Sequence, residues 1–150
     1  MNAGINPVPA GYEGATPHLI CKNAEAAIDF YTRAFDAVEM FRLGEAGKVG
    51  HAEMKIADRV IIMLADEHPE TGMLSPQTIG GTPISLLVYV DDVDSFCEKA
   101  VAEGLEVLKP VEDQFYGDRL GRFKDPFGHI WGFATHTRDV SPEEMSGPSE

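Results

Sequence analysis

The stretch DPFGHIW, Asp125–Trp131, decides the fold of this chain. Its aspartate, proline and glycine bend the backbone, and the apolar residues that follow are typical of a buried strand. A similar bend followed by an apolar strand occurs in the first half of the chain at Ala57–Leu64, ADRVIIML. Because each half contains such a bend and strand, we predict that one structural unit occurs twice.

The first unit spans residues 16–67 and has the pattern of a strand, a helix and three further strands. In the helix, AEAAIDFYTRAF, the apolar residues recur at the spacing of one helical face, and Asn23 is a suitable N-cap. The strand candidates are TPHLICKN, AVEMFRL, VGHAEMKI and RVIIMLAD. The predicted buried stripe of the helix consists of Ala24, Ala27, Ile28, Tyr31 and Phe35.

The second unit, residues 82–137, repeats this order. The strand TPISLLVYVDD is followed by the amphipathic helix DVDSFCEKAVAEG, for which Gly104 is the natural stop. Three strand candidates follow: LEVLKPVED, FYGDRLGRFKD and HIWGFATH. The predicted helix stripe is Val93, Phe96, Cys97, Ala100 and Val101. A repeated element order favours duplication of a βαβββ module.

The remaining segments are a flexible leader (1–15), a linker rich in Pro, Gly, Ser and Thr (68–81) and an acidic tail (138–150). The predicted fold is therefore α+β, with two βαβββ modules forming curved mixed sheets. Two such modules can enclose a shared cavity, which is where a small organic ligand would bind.

The composition limits which binding partners and which cellular compartment are expected. There are 12 Lys and Arg residues against 25 Asp and Glu residues, and the net charge of −13 disfavours binding to nucleic acid or to an anionic membrane. No apolar run approaches the roughly 20 residues that span a bilayer, and the start of the chain does not resemble a signal peptide. Cys21 and Cys97 lie in apolar segments and are predicted to be free thiols, which favours a cytoplasmic location.

Four segments resemble the vicinal oxygen chelate superfamily, which includes glyoxalase I, extradiol dioxygenases, fosfomycin-resistance proteins and bleomycin-binding proteins. They are NAEAAIDFYTRAFDA, GHAEMKIADRVIIMLADE, YVDDVDSFCEKAVAEG and DQFYGDRLGRFKDPFGHIW. The last segment is similar to the PhnB-like branch. The resemblance implies a glyoxalase-like fold and a homodimer whose sheets are exchanged or joined at their edges.

The resemblance also implies where a metal would bind. The positions that carry metal ligands in family enzymes fall here at Thr16, Met63, Ser85 and Gly132. A thioether and two hydroxyls are poor ligands for a hard or borderline dication. We therefore predict no metal cofactor at the usual positions, and a divalent metal only at a non-standard site.

His51 and Glu53 are the candidates for such a site. They are two residues apart on a strand candidate, so they face the same side of the sheet. They are either a metal or acid–base pair, or ordinary cross-strand partners. A shift of 68 residues pairs His51 with Arg119, which would give both residues like positions in the two modules.

Other residues are candidates for binding a ligand. His18 lies in the first strand and either lines the cavity or is a structural histidine. Arg119 either clamps a carboxylate or phosphonate, or forms a salt bridge. Its neighbour Asp118 is a second candidate, although adjacent strand residues point to opposite faces.

Large apolar residues form either an aromatic and thioether-lined pocket or an ordinary core. These residues are Tyr116, Trp131 and Met63, together with Phe41, Phe115 and Phe133. His129 is assigned to positioning the turn before the last strand, and His68 and His136 receive no role.

Three functions remain open from the sequence. The first is a metal-free protein that binds and sequesters a small molecule. The second is a lyase or isomerase of the glyoxalase type that uses a displaced metal or acid–base chemistry at His51 and Glu53. The third is a structural or regulatory dimer.

Overall fold

The structure is a computed structural model that describes residues 4–146. Residues 1–3 of the predicted leader and 147–150 of the predicted tail lie outside the described residues. The strands are β1 His18–Cys21, β2 Val38–Leu43, β3 His51–Ile56, β4 Val60–Asp66, β5 Ser85–Tyr89, β6 Glu106–Asp113, β7 Asp118–Lys124 and β8 Ile130–His136. The helices are α1 Ala24–Phe35, α2 Pro76–Ile79, α3 Val93–Ala102 and α4 Pro142–Met145, with a 3₁₀ turn at Pro69–Thr71.

Two mixed four-stranded sheets have the same topology. Their strand orders are β1-β4-β3-β2 and β5-β8-β7-β6. In each sheet the first strand of the module runs parallel to the last one, and the other neighbours are antiparallel. The α+β fold with two βαβββ modules that the sequence predicts is confirmed.

The long helices begin and end where the sequence predicts. The Asn23 side chain accepts a hydrogen bond from the Ala26 amide at 3.0 Å and caps α1. The Asp92 carboxylate caps α3 in the same way, and Gly104 follows that helix with a φ of 119°. All five residues of the predicted α1 stripe are buried, whereas Val101 of the α3 stripe is exposed.

One aromatic core joins the modules. Helix α1 packs against α3, and Phe35 of α1 lies 5.0 Å from Trp131 and 4.9 Å from Phe133, measured between ring centroids. The same core contains the helix-facing residues of both sheets. The sequence predicts a cavity shared by the two modules. The core fills the space between the helix-bearing sides of the sheets, and a cavity that both modules line lies between β1 and β5.

The other side of each sheet carries no helix, and we call it the open face. Strand register assigns its residues, because side chains directly opposite each other share a face. The first open face includes His18, Phe41, Leu43, His51, Glu53, Lys55, Ile61 and Met63. The second includes Leu87, Tyr89, Asp118, Leu120, Arg122 and Gly132.

The turn at Asp125 fastens the second module to the first. The buried Asp125 carboxylate accepts hydrogen bonds from the amides of Phe127 and His129 at 2.9 and 3.0 Å. It also accepts from the Trp131 indole at 2.9 Å and from the Tyr31 hydroxyl of α1 at 2.5 Å. The His129 side chain lies 2.9 Å from the Ile20 carbonyl oxygen of β1. The stretch Asp125–Trp131 thus anchors the contact between the modules.

The two cysteines are free and buried, as the sequence predicts. Burial is the main cause that raises the pKa of both thiols, that of Cys97 to about 12. Neither thiol is therefore a reactive thiolate at neutral pH.

Candidate functional site

The first open face brings together three of the polar residues singled out from the sequence, His18, His51 and Glu53. Met63 of β4 lies directly between His18 of β1 and Glu53 of β3, because its register pairs it with both. Phe41 of β2 pairs with Glu53 on the other side. His51 lies two residues before Glu53 on the same face. The alternation of the strands thus places these five side chains together.

Glu53 is the centre of this group. Its side chain is only 7% exposed, and its Oε1 accepts a hydrogen bond of 2.5 Å from the Tyr12 hydroxyl. Its Oε2 lies 3.6 Å from His51 Nε2. The hydrogen bond to Glu53, together with desolvation, raises the pKa of Tyr12, so this phenol stays protonated and remains a donor. The sequence did not indicate Tyr12, because nothing in an irregular leader shows which strand it will cross.

His18 connects this group to a cavity. Its ring lies 5.8 Å from the ring of His51, and burial and the proximity of His51 lower the pKa of His18. A cavity of about 290 Å³ lies between β1 and β5, and His18 and His129 both line it. Its other lining residues are Ala15, Thr16, Pro17, Leu19, Thr82, Ile84, Leu86 and Ile130.

The second open face has different chemistry at the matching positions. Leu87 takes the place of His18 and Gly132 the place of Met63, because these residues pair across the corresponding parallel strands. Arg122 pairs with Gly132 as Glu53 pairs with Met63. The residue that matches His51 is then Leu120, two before Arg122. The predicted equivalence of His51 and Arg119 is wrong, because the strand register corresponds to a shift of 69 residues.

Arg119 points to the helix side of its sheet. Its guanidinium lies 2.8 and 3.0 Å from the two carboxylate oxygens of Asp94 in α3 and 3.3 Å from Asp113. These hydrogen bonds, with Asp94 first, raise the pKa of Arg119. The ligand clamp predicted for Arg119 is therefore corrected to the salt-bridge alternative, and Asp118 does point to the opposite face.

Asp118 forms a second buried carboxylate site. It accepts hydrogen bonds from the Tyr89 hydroxyl at 2.6 Å and from His136 Nδ1 at 2.7 Å, while His136 Nε2 lies 2.8 Å from Asp139. Burial alone would raise the pKa of Asp118, but the hydrogen bonds from Tyr89 and His136 lower it. The two carboxylates raise the pKa of His136, with Asp139 the larger cause. His136 is the last residue of β8, and nothing in the sequence indicated that it would bond to Asp118.

The predicted aromatic pocket is divided between core and surface. Trp131 is 0% exposed, so the prediction that it contacts a ligand is corrected: it packs in the aromatic core and bonds to Asp125. Phe133 is also buried, whereas Phe41 and Phe115 are exposed. Tyr116 is partly buried, and its ring lies 5.3 Å from that of Phe115.

The donor chemistry at the family's metal positions is weak. Thr16 lies at the cavity, Met63 on the first open face, and Ser85 and Gly132 in the second sheet. Within residues 4–146, no three side chains of His, Cys, Asp or Glu are grouped so that they could hold a metal ion. Over the same residues, no helix is long and apolar enough to cross a membrane.

Comparison with known proteins defines the class. Residues 15–133 match the model of the Glyoxalase/Bleomycin resistance protein/Dioxygenase superfamily. The chain belongs to this superfamily, as its duplicated βαβββ fold indicates.

Individual proteins are similar to this chain in sequence or in fold. An uncharacterized protein of Mycobacterium bovis is 40% identical over 145 residues, which cover 94% of this chain and 92% of that protein. The crystal structure of TioX from Micromonospora sp. ML1 aligns with a TM-score of 0.67 at 22% identity, over 86% of this chain and all of that one. The fosfomycin resistance protein FosX from Listeria monocytogenes aligns with a TM-score of 0.60 at 20% identity, over 87% and 95% of the two chains. The structural matches show the shared fold.

Proposed function

We propose that this protein, of the PhnB-like type, binds and sequesters a small organic molecule on its first open face without a metal. The observation that carries the proposal is the nearly buried Glu53 carboxylate between Met63 and the exposed ring of Phe41. A buried carboxylate surrounded by apolar and aromatic surface is a polar anchor of the kind that orients ligands in apolar sites. The fold that it shares with a fosfomycin resistance protein is consistent with a role in sequestration or resistance.

A second copy of the chain completes the site in this proposal. Apolar side chains stand exposed on both open faces, among them Phe41 at 44%, Leu43 at 61% and Leu87 at 52%. Apolar surface of this kind marks an interaction site. A homodimer that brings the first open face of one copy against the second open face of the other would bury this surface around the ligand. The free buried thiols are consistent with a cytoplasmic location.

The dimer is tested by light scattering on the purified native chain. The expected mass is twice the 16.3 kDa of one chain. Placing a charge on either face, with Phe41→Glu or Leu87→Glu, should shift the mass towards one chain, whereas a charge reversal at the exposed Glu98 should not. A wild-type mass of 16.3 kDa at micromolar concentration would exclude the dimer.

Ligand binding is tested by a thermal-shift panel of small aromatic and amphipathic molecules. A ligand at about 100 times its Kd stabilises the folded state by about 2.7 kcal/mol, which raises the Tm of a chain of this size by roughly 5–10 °C. The variants Glu53→Ala and His51→Ala should lose this shift, and Glu98→Ala should keep it. Stoichiometric metal in tag-free protein, lost in His51→Ala, would contradict the metal-free site.

A lyase or isomerase remains the second candidate, because His51 Nε2 lies 3.6 Å from Glu53 Oε2 on an accessible face. A lyase or isomerase reaction that begins by removing a proton next to a carbonyl needs a general base, and such a pair can act as one. Hydroxyacetone in D₂O is a direct probe. Deuterium incorporation that disappears in both His51→Ala and Glu53→Gln would establish catalysis. If the wild type incorporates no deuterium, binding without catalysis remains the proposed function.

A further inference from the structure

The leader occupies the first open face. Tyr12 lies 41 positions before Glu53 in the chain, yet its hydroxyl donates to the Glu53 carboxylate at 2.5 Å. The leader reaches the sheet through a turn in which the Tyr12 amide donates to the Pro9 carbonyl at 3.1 Å. Gly11 has a φ of +92°, and a Cβ there would lie 3.0 Å from Ile61 Cδ1 of the open face. The backbone of the leader therefore comes close to the sheet at this point.

The leader is held by few contacts. Between residues 4 and 15 there is no helix or strand, and nearly all side chains other than that of Tyr12 are exposed, including Ile5 at 66%. Removing the phenol would leave the Glu53 carboxylate without this donor, on a face where Phe41 is exposed and its ring lies 5.7 Å from that of His51. A short segment with so few contacts can be displaced by a molecule that makes the same contacts.

We infer that Tyr12 holds the place of the ligand, and that this ligand is a phenol. The inference rests on the proposed function of the first open face as a binding site. Glu53 Oε1 accepts the hydrogen bond from Tyr12, so a molecule that replaces Tyr12 there must bring a donor. A phenol brings this donor on an aromatic ring, as Tyr12 does, and the ring can pack on the exposed ring of Phe41. Carboxylates and phosphonates carry negative charge, which the Glu53 carboxylate would repel.

The test uses p-cresol as the probe and 4-methylanisole as its matched control, since the methyl ether has the same ring but cannot donate. The Kd of each is measured by NMR titration on the full chain. The substitution Tyr12→Ala removes the side chain that occupies the site in the wild type. It should strengthen p-cresol binding about tenfold, because p-cresol no longer has to displace Tyr12. Ile5→Ala, an exposed leader residue, is the control variant and should leave the Kd unchanged. Glu53→Leu should lower the affinity for p-cresol to that for 4-methylanisole.

Each outcome separates the inference from the proposed function. If p-cresol binds the wild type and Tyr12→Ala leaves its Kd unchanged or weakens it, the leader is not an occupant, while the binding function stands. If other panel molecules bind but p-cresol binds neither protein, the phenol assignment fails. If nothing binds either the wild type or Tyr12→Ala, the proposed function itself fails.

Proteolysis gives a readout that a purely structural role of Tyr12 would not produce. Saturating p-cresol should free the leader and speed chymotrypsin cleavage after Tyr12 in the wild type. 4-Methylanisole should have no such effect. An unchanged cleavage rate at a p-cresol concentration that saturates the NMR titration would overturn the inference.

Discussion

The two modules share a backbone plan but differ in the chemistry of their open faces. The first has His18, Glu53 and Met63 where the second has Leu87, Arg122 and Gly132. Duplication thus supplied a scaffold, and the side chains on it diverged. We conclude that the polar anchor of the proposed site belongs to the first module, while the second contributes mainly apolar surface and a separate cluster around Asp118.

The hairpins that lead into the last strand of each module differ as well. The first hairpin uses Ala57 and Asp58, whose φ angles of 52° and 59° are left-handed and unusual for non-glycine residues. The second is a longer turn around Asp125, whose carboxylate also reaches Tyr31 in the other module. The second hairpin therefore joins the modules through a buried carboxylate. The first packs Ala57 on the shared core and bonds to the other module through Arg59, which donates to the Tyr89 carbonyl oxygen.

The largest expected effect comes from removing the Asp125 carboxylate. Asp125→Ala leaves the buried Tyr31 hydroxyl and Trp131 indole without their acceptor, and we expect it to lower the free energy of unfolding by about 3–5 kcal/mol. Asp66 is the comparison within the first module, because it accepts only from the Ala24 and Val49 amides at 2.8 and 2.7 Å. Asp66→Ala should cost about 1–3 kcal/mol. Urea denaturation of both variants measures the difference.

A double-mutant cycle identifies the source of the Asp125 effect. Tyr31→Phe removes the hydroxyl that crosses between modules, and its coupling to Asp125→Ala should be about 1–3 kcal/mol. Additive effects of the two substitutions would show that the turn stabilises only its own module.

Exchanging glycine and alanine should change the free energy of unfolding by an intermediate amount, with opposite signs in the two hairpins. Gly128 has a φ of +93°, and a Cβ there would lie 2.8 Å from Pro76 Cβ, so Gly128→Ala should destabilise by about 2–3 kcal/mol. Ala57→Gly should relieve its left-handed backbone and stabilise by about 0.5 kcal/mol. Thermal unfolding of the two variants checks both signs, and two shifts in the same direction would contradict this account.

The smallest expected effect is a pH dependence that differs between the two open faces. The pKa of His18 is lowered on folding, so the unfolded chain binds this proton more readily, and stability falls as pH drops below about 6.5. The pKa of His136 is raised, so its contribution is fully present below about 6.5 and is lost as pH rises through the folded value. His18→Gln should thus flatten the loss of stability below about pH 6.5, and His136→Gln should flatten the loss above it.

Urea denaturation between pH 5 and 8 measures these slopes. Thr16→Ser, a conservative change at the cavity that adds no titrating group, is the control and should keep the wild-type slope. Parallel curves for all variants would show that neither histidine is coupled to folding.

The sequence predicts the elements well, because their signals are local. Helix α1 begins and ends at the predicted residues, since its apolar stripe and the Asn23 cap lie within twelve positions of each other. His51 and Glu53 were placed on one face correctly for the same reason. The side to which Arg119 points was not predictable in this way. The predicted shift of 68 residues differs by one from the strand register, and a difference of one residue reverses the face. Tyr12 and His136 were missed because their partners lie across the fold.

The hydrogen bond between Tyr31 and Asp125 also bears on how the chain reaches its folded state. These residues are 94 positions apart, so the last turn of the second module acquires all its donors only once α1 is in place. Either half expressed alone would retain a buried acceptor or donor without its partner, in addition to an uncovered aromatic surface. We therefore expect the whole chain to be the cooperative unit of unfolding, with its two halves, although alike in architecture, melting together in one transition.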